Sequence, residues 1–126
     1  MPEDDQVSFT RIVGPPDAAE LSGVPAPGEQ PVLWWRARLG EEQSFPLPGP
    51  RVTIGRHSRN DIVLAGPTVS GHHAVVHLDG ATARIEDQGS LNGTFRNGER
   101  VETAPLEAGD RIQIGPHLLV YVPARG

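Results

Sequence analysis

The sequence contains no cysteine and no lysine. Without cysteine there is no disulfide, no thiolate zinc site and no thiol nucleophile. Without lysine there is neither a P-loop nor a Schiff-base enzyme. All eleven basic residues are arginine, whose planar fork meets tetrahedral or planar anions through paired hydrogen bonds. No apolar run approaches the ~18 residues that cross a bilayer. The opening residues MPEDDQ are acidic and carry proline, the opposite of a secretory signal. These absences predict a cytoplasmic protein with no membrane partner. A net charge of -5 and the lack of a basic patch interleaved with aromatics argue against nucleic acid.

What is abundant is glycine and proline, 15 and 13 residues, together 28 of 126. That is about double ordinary usage and leaves little room for long helices. Short segments joined by tight turns are expected, in a chain long enough for one domain. Charge is unevenly placed. Residues 1–30 hold six acids and one base, whereas residues 31–126 hold ten acids and ten arginines. With five prolines as well, residues 1–30 read as an acidic, proline-rich arm. Within it Val7 to Val13 (VSFTRIV) alternates and has the composition of a strand. The domain proper is expected over 31–124.

From residue 32 the pattern is strand after strand. Val32–Leu39 places Leu33, Trp35, Ala37 and Leu39 on one face. Arg51–Ile54, Ile62–Leu64, Ala74–Leu78, Thr82–Glu86, Thr94–Arg96, Glu99–Val101, Arg111–Ile114 and Leu118–Val122 follow, punctuated by Gly, Pro, Asn and Asp. No window carries a helical period. This spacing predicts an all-β antiparallel sandwich.

Four clusters lie between the strands: Gly55-Arg56, Ser70-Gly71-His72-His73, Ser90-Leu91-Asn92-Gly93-Thr94 and Asn97-Gly98. Each alone has an ordinary explanation. Asn97-Gly98 reads as a type I′ hairpin turn, because both positions tolerate positive φ. His72, His73 and His77 invite a metal reading, but on a strand His73 and His77 stand ~13 Å apart, and His72 and His73 point to opposite sides. No metal site is expected. A Ser70–His73 pair oriented by Asp87 or Asp110 is the enzyme reading. Ser70 lies in no G-x-S-x-G elbow and no helix follows it, so the chain is expected not to be an enzyme and to need no cofactor.

Taken together, the clusters resemble the forkhead-associated (FHA) domain. Gly55-Arg56 matches its G-R, and Asn60-Asp61-Ile62-Val63-Leu64 its N-D-I-x-L. Val69-Ser70 with His73-Ala74 matches V-S-x-x-H-A, and Asp87 to Phe95 matches D-x-x-S-x-N-G-T-x. Asn97-Gly98, Leu106, Gly109-Asp110-Arg111-Ile112 and Gly115 match the closing N-G and L-x-x-G-D-x-I-x-x-G. The resemblance covers about residues 33–122. It implies an eleven-stranded antiparallel β-sandwich that binds phosphothreonine peptides through loops at one end.

By that resemblance Arg56 is the main phosphate ligand and Ser70 a second, while Asn92 grips the peptide backbone. Gly55, His73 and Gly93 support them: Gly55 permits a tight exit that aims Arg56, and His73 packs behind the loops to hold Ser70. Two positions depart from the family pattern. Gly71 stands where many members carry Arg, Lys or Asn, and Leu91 where many carry Thr, so each loses a side-chain polar contact; at Gly71 either that contact is absent or a backbone N–H replaces it, and both positions remain accessory candidates. His57 and Arg59 are accessory candidates to replace one. The implied function is phosphorylation-dependent protein–protein interaction in Ser/Thr kinase signalling. The partner is a phosphothreonine-containing protein or peptide, a Ser/Thr protein kinase or its substrate. The alternative is an interaction domain of the same fold without phosphate dependence. Thr10, with Val13 three residues on, is a candidate phosphorylation site through which the arm docks on a domain of this kind.

Overall fold

The computed structural model of the chain describes residues 23–37 and 41–125. Eleven strands run through them: β1 Val32–Arg36, β2 Glu42–Pro46, β3 Arg51–Gly55, β4 Ile62–Val63, β5 Ala74–Asp79, β6 Thr82–Asp87, β7 Thr94–Arg96, β8 Glu99–Val101, β9 Thr103–Leu106, β10 Arg111–Ile114 and β11 His117–Val122. One sheet has the order β2-β1-β11-β10-β7-β8 and the other β4-β3-β5-β6-β9. The described residues contain no helix, so none is long and apolar enough to cross a membrane. The candidate arm strand and Thr10 lie outside the described residues, as does Leu39, while β1 itself ends at Arg36.

Alternation on these strands is what builds the core. Leu33 of β1, Ile112 and Ile114 of β10, and Leu119 and Tyr121 of β11 face Val52 and Ile54 of β3, Val76 of β5 and Ile85 of β6. The outer face of the second sheet carries polar pairs around a buried Val75, with His77 bonded to Glu86 at 2.8 Å and Arg84 to Thr103 at 3.2 Å. The outer face of the first sheet carries an apolar patch. Trp34, on the side of β1 opposite Leu33, packs with Val120 and Val122 under Val24 and Val32. Its indole donates to Glu42 at 3.1 Å, and the Arg36 guanidinium lies 5.2 Å from the ring centroid. Residues on the arm side of the expected boundary at residue 30 therefore lie against the sheet, and Arg125 N–H closes on the Gly28 carbonyl at 2.7 Å.

Two strands escaped the sequence pattern, and both are edge strands. In β2, EQSFP, only Phe45 is even partly buried, so no alternation marks it; pairing with β1 makes it a strand. In β9, TAPL, Pro105 lies opposite Arg84 of β6. Proline offers no N–H to a ladder and is tolerated where one side of the strand is unpaired. The sandwich is also not wholly antiparallel: β4 runs parallel to β3, with Ile54 opposite Ile62. The six residues between them close a crossover too short for a helix, and reciprocal bonds hold it. Asp61 accepts from Thr53 N–H at 2.9 Å, and the Thr53 hydroxyl accepts from Asp61 N–H at 2.9 Å. At the β7–β8 hairpin, Asn97 and Gly98 have φ of 51° and 87°, as a type I′ turn requires.

Candidate functional site

Three loops leave the strands at one rim: residues 56–61 after β3, residues 64–73 after β4 and residues 88–93 after β6. Backbone bonds join them. Arg56 N–H donates to the Ser70 carbonyl at 2.9 Å, and His57 N–H to the Gly71 carbonyl at 3.2 Å. The Ser70 hydroxyl accepts from Leu91 N–H at 3.1 Å, and the Asn92 amide donates to the Thr68 carbonyl at 3.1 Å. The structure thus brings Arg56, Ser70 and Asn92, drawn from three separate segments, onto one surface.

Each side chain keeps unused capacity there. Arg56 is exposed, and its guanidinium has no carboxylate or carbonyl partner among the described residues. The Ser70 oxygen accepts a bond, while its own hydrogen has no acceptor among the described residues. Asn92 is exposed and spends one amide hydrogen on Thr68, which leaves its carbonyl oxygen and second N–H without a partner among the described residues.

Behind this surface stands a fully buried ring. His73 Nδ1 accepts from Ser70 N–H at 3.0 Å, and Nε2 meets the Gly93 carbonyl at 2.9 Å. A nitrogen that accepts from an amide and another that faces a carbonyl define the neutral Nε2–H tautomer. His73 therefore ties the Ser70 loop to the Asn92 loop.

The Asn92 loop is shaped by one carboxylate. Asp87 accepts from the Ser90 hydroxyl at 2.5 Å, Ser90 N–H at 3.0 Å and the Thr94 hydroxyl at 2.7 Å. The Ser90 oxygen in turn accepts from Gly93 N–H at 3.0 Å. Burial pushes the Asp87 carboxyl up, but these hydrogen bonds outweigh it and bring its pKa below the ordinary value. At the far end of β7, Asp110 is also buried. Desolvation raises it, while bonds from Asn97, the Glu107 N–H and Arg96 lower it further than burial lifts it.

Gly55 lies where the first two loops meet. Its φ is ordinary, but a Cβ there would overlap the Gly71 carbonyl oxygen and lie 2.7 Å from Asn60 Nδ2. The absence of a side chain lets the first two loops touch. Gly93, at φ +94°, does need the left-handed region, and its missing Cβ is replaced by the Arg100 side chain. Gly71 has open space around it. Leu91 is 83% exposed beside Asn92. Of the accessory candidates, His57 stacks on His72 at 5.6 Å and accepts Arg59 N–H at 3.1 Å.

Two residues near the rim were not marked by the sequence patterns as site residues. Asn60 is buried and donates to both the His57 and Gly71 carbonyls, at 2.9 and 2.7 Å. Its place before Asp61 was the only available signal. Arg100 reaches Gly93 from β8, and no linear spacing reveals that. Among the described residues no group of three metal-ligating side chains forms; His72, His73 and His77 go separately to His57, to the loops and to Glu86.

Comparison with known proteins agrees with this geometry. The chain is 45% identical over 78 residues to the glycogen accumulation regulator GarA of Mycolicibacterium smegmatis, covering 62% of this chain and 49% of that one. It is 42% identical over 78 residues to an oxoglutarate dehydrogenase inhibitor of Corynebacterium efficiens, covering 62% and 55%. The aligned region is thus about half the length of these relatives. Among solved structures, Mycobacterium tuberculosis EmbR in complex with a low-affinity phosphopeptide superposes with a TM-score of 0.67 at 33% identity, over 75% of this chain and 25% of that one. Residues 52–115 match the FHA domain profile. The fold, the joined loops and these matches place the chain in the forkhead-associated domain family.

Proposed function

We propose that the chain recognises phosphothreonine in a partner protein, with Arg56 and Ser70 binding the phosphate and Asn92 the peptide backbone. The observation that carries this is the 2.9 Å bond from Arg56 N–H to the Ser70 carbonyl. It joins the backbone of the residue whose guanidinium has no carboxylate partner among the described residues to that of the residue whose hydroxyl hydrogen has no acceptor among them. A phosphothreonine brings about -1.5 to -2 charge and three acceptor oxygens, which such a pair suits. The Gly71 N–H has no partner among the described residues and is a further donor where the side chain is missing. His57 and Arg59 are accessory cations of the same loop.

Partners of the required chemistry are a Ser/Thr protein kinase or its phosphorylated substrate. The names of the two relatives, a regulator and an enzyme inhibitor, support a regulatory binding protein that docks on an enzyme rather than one that catalyses. Calorimetry with a phosphothreonine peptide and its dephosphorylated form tests the proposal. The phosphorylated form is expected to bind and the other not. Arg56→Ala is expected to weaken binding by ~10- to 100-fold, since charge-assisted bonds contribute about 1.5–3 kcal/mol each.

Two observations favour a second reading, a protein-interaction domain of the same fold without phosphate dependence. Gly71 carries no side chain and Leu91 offers an exposed apolar contact. Equal binding of the two peptide forms would select it.

A further inference from the structure

Arg100 stands outside every motif of the family resemblance, on the second strand of a hairpin rather than in a rim loop. It lies opposite Phe95 in the β7–β8 pair, and its side chain folds over the Asn92 loop. Nε, Cζ and Cδ lie 2.7, 3.0 and 3.2 Å from where a Gly93 Cβ would be. Only a glycine leaves that seat open. The seat is also rigid. Gly93 N–H is held by Ser90 Oγ at 3.0 Å and its carbonyl by His73 Nε2 at 2.9 Å. The Arg100 guanidinium thus rests against a backbone that is fixed at both ends.

No carboxylate pairs with Arg100 among the described residues, and the residue is exposed. By contrast, Arg96 of the same hairpin is held by Asp110 at 2.9 Å. A chain of contacts therefore runs Arg56, Ser70, Leu91, Asn92, Gly93, Arg100. Each step is a hydrogen bond, a peptide bond or a direct packing contact. At each end of that chain of contacts stands an arginine with no carboxylate partner among the described residues. From Leu91 to Gly93 the chain advances at most ~7 Å, the length of about two extended peptide residues.

We propose that Arg100 is a specificity residue for an acidic side chain in the bound peptide. The carboxylate lies two or three residues from the phosphothreonine, on the stretch that runs over Asn92. This rests on the phosphothreonine reading above and adds a second anion contact to it. Arg56 takes the phosphate, and Arg100 selects what flanks it. An opposite charge at a rim contributes modestly to affinity and more to choice of partner.

The test is a set of phosphothreonine peptides with glutamate scanned through positions -3 to +3 in a neutral background, titrated against the whole chain. For the unaltered protein, glutamate at one position is expected to tighten binding by about fivefold over the neutral peptide. Arg100→Glu is expected to invert that ratio, and Arg100→Lys to restore part of it. Raising salt is expected to shrink the preference. Strong binding of every peptide with the same glutamate ratios in Arg100→Glu as in the unaltered protein overturns the role of Arg100 while sparing the phosphothreonine reading. Failure of all phosphorylated peptides to bind, or indifference to Arg56→Ala, overturns both.

Discussion

Ser70 is positioned by His73, whose Nδ1 accepts the serine N–H at 3.0 Å while Nε2 faces the Gly93 carbonyl at 2.9 Å. One fully buried imidazole thus couples two loops that are about twenty residues apart in sequence. The rim is preorganised by a residue that does not touch its outer surface, in the way outer partners orient ligating groups elsewhere.

Replacing His73 by alanine removes a packed ring and orphans both partner groups. The expected loss of stability is about 3 kcal/mol, read from urea unfolding. His73→Phe keeps the ring volume but not the bonds. Its stability is expected to lie between alanine and the native residue, with the affinity for phosphopeptide still reduced. Affinity equal to that of the native chain in His73→Phe would separate His73 from the site.

At Gly55 the space argument is sharper. A methyl group would run into the Gly71 carbonyl oxygen, and backbone cannot swing away as a side-chain end can. Gly55→Ala is expected to cost about 1–3 kcal/mol and to spread the Arg56 and Ser70 loops. Thermal melting and phosphopeptide titration should both register the change. A melting temperature unchanged from the native chain would show that the loops part freely.

Gly71 offers the opposite case, since nothing lies within 4 Å of a Cβ built there. Gly71→Arg is expected to fold normally and to tighten phosphothreonine binding by up to about tenfold. A charge-assisted bond contributes about 1.5–3 kcal/mol, from which ordering a long side chain takes about 1–2. Titration of the Gly71→Arg variant and the native protein against one peptide measures it, and weaker binding by the variant would count against the phosphate's assigned position.

Acid stability follows from Asp87 and Asp110. Both carboxyls are lowered in the folded chain despite burial, because hydrogen bonds to the charged form win. A lowered folded pKa means that the unfolded chain takes up protons first as pH falls. The stabilisation is complete above the ordinary carboxylate value of 3.8 and is lost progressively as pH falls below it through the folded values. Unfolding free energy measured from neutral into strongly acidic solution is expected to fall over that window. Asp110→Asn should show a lower plateau at neutral pH and a shallower acid decline.

The sequence carried the core of the sandwich openly. Leu33 and Trp35 of β1, the alternation of β5 and β6, and the isoleucines of β10 all face inward as their period demands, because apolar spacing on a strand is a property of the chain alone. Asn97-Gly98 specified its turn for the same reason: positive φ is a local demand. What local pattern did not carry was two of the four edge strands. β2 buries almost nothing and β9 contains a proline, so each exists only because a neighbouring strand supplies hydrogen bonds.

The site divides along the same line. Arg56, Ser70 and Asn92 were legible as chemistry, through the order of motifs that match the family. Their meeting was a tertiary event, made by the Arg56–Ser70 and Ser70–Leu91 bonds and by the His73 ring behind them. The need for Gly55 came from the carbonyl of Gly71 in the next loop, not from its own φ. The seat of Arg100 on Gly93 depended on how the β7–β8 hairpin folds back. Residue types and turns answer to neighbours along the chain, whereas close approach and unpaired charge answer to neighbours in space, and only packing brings those together.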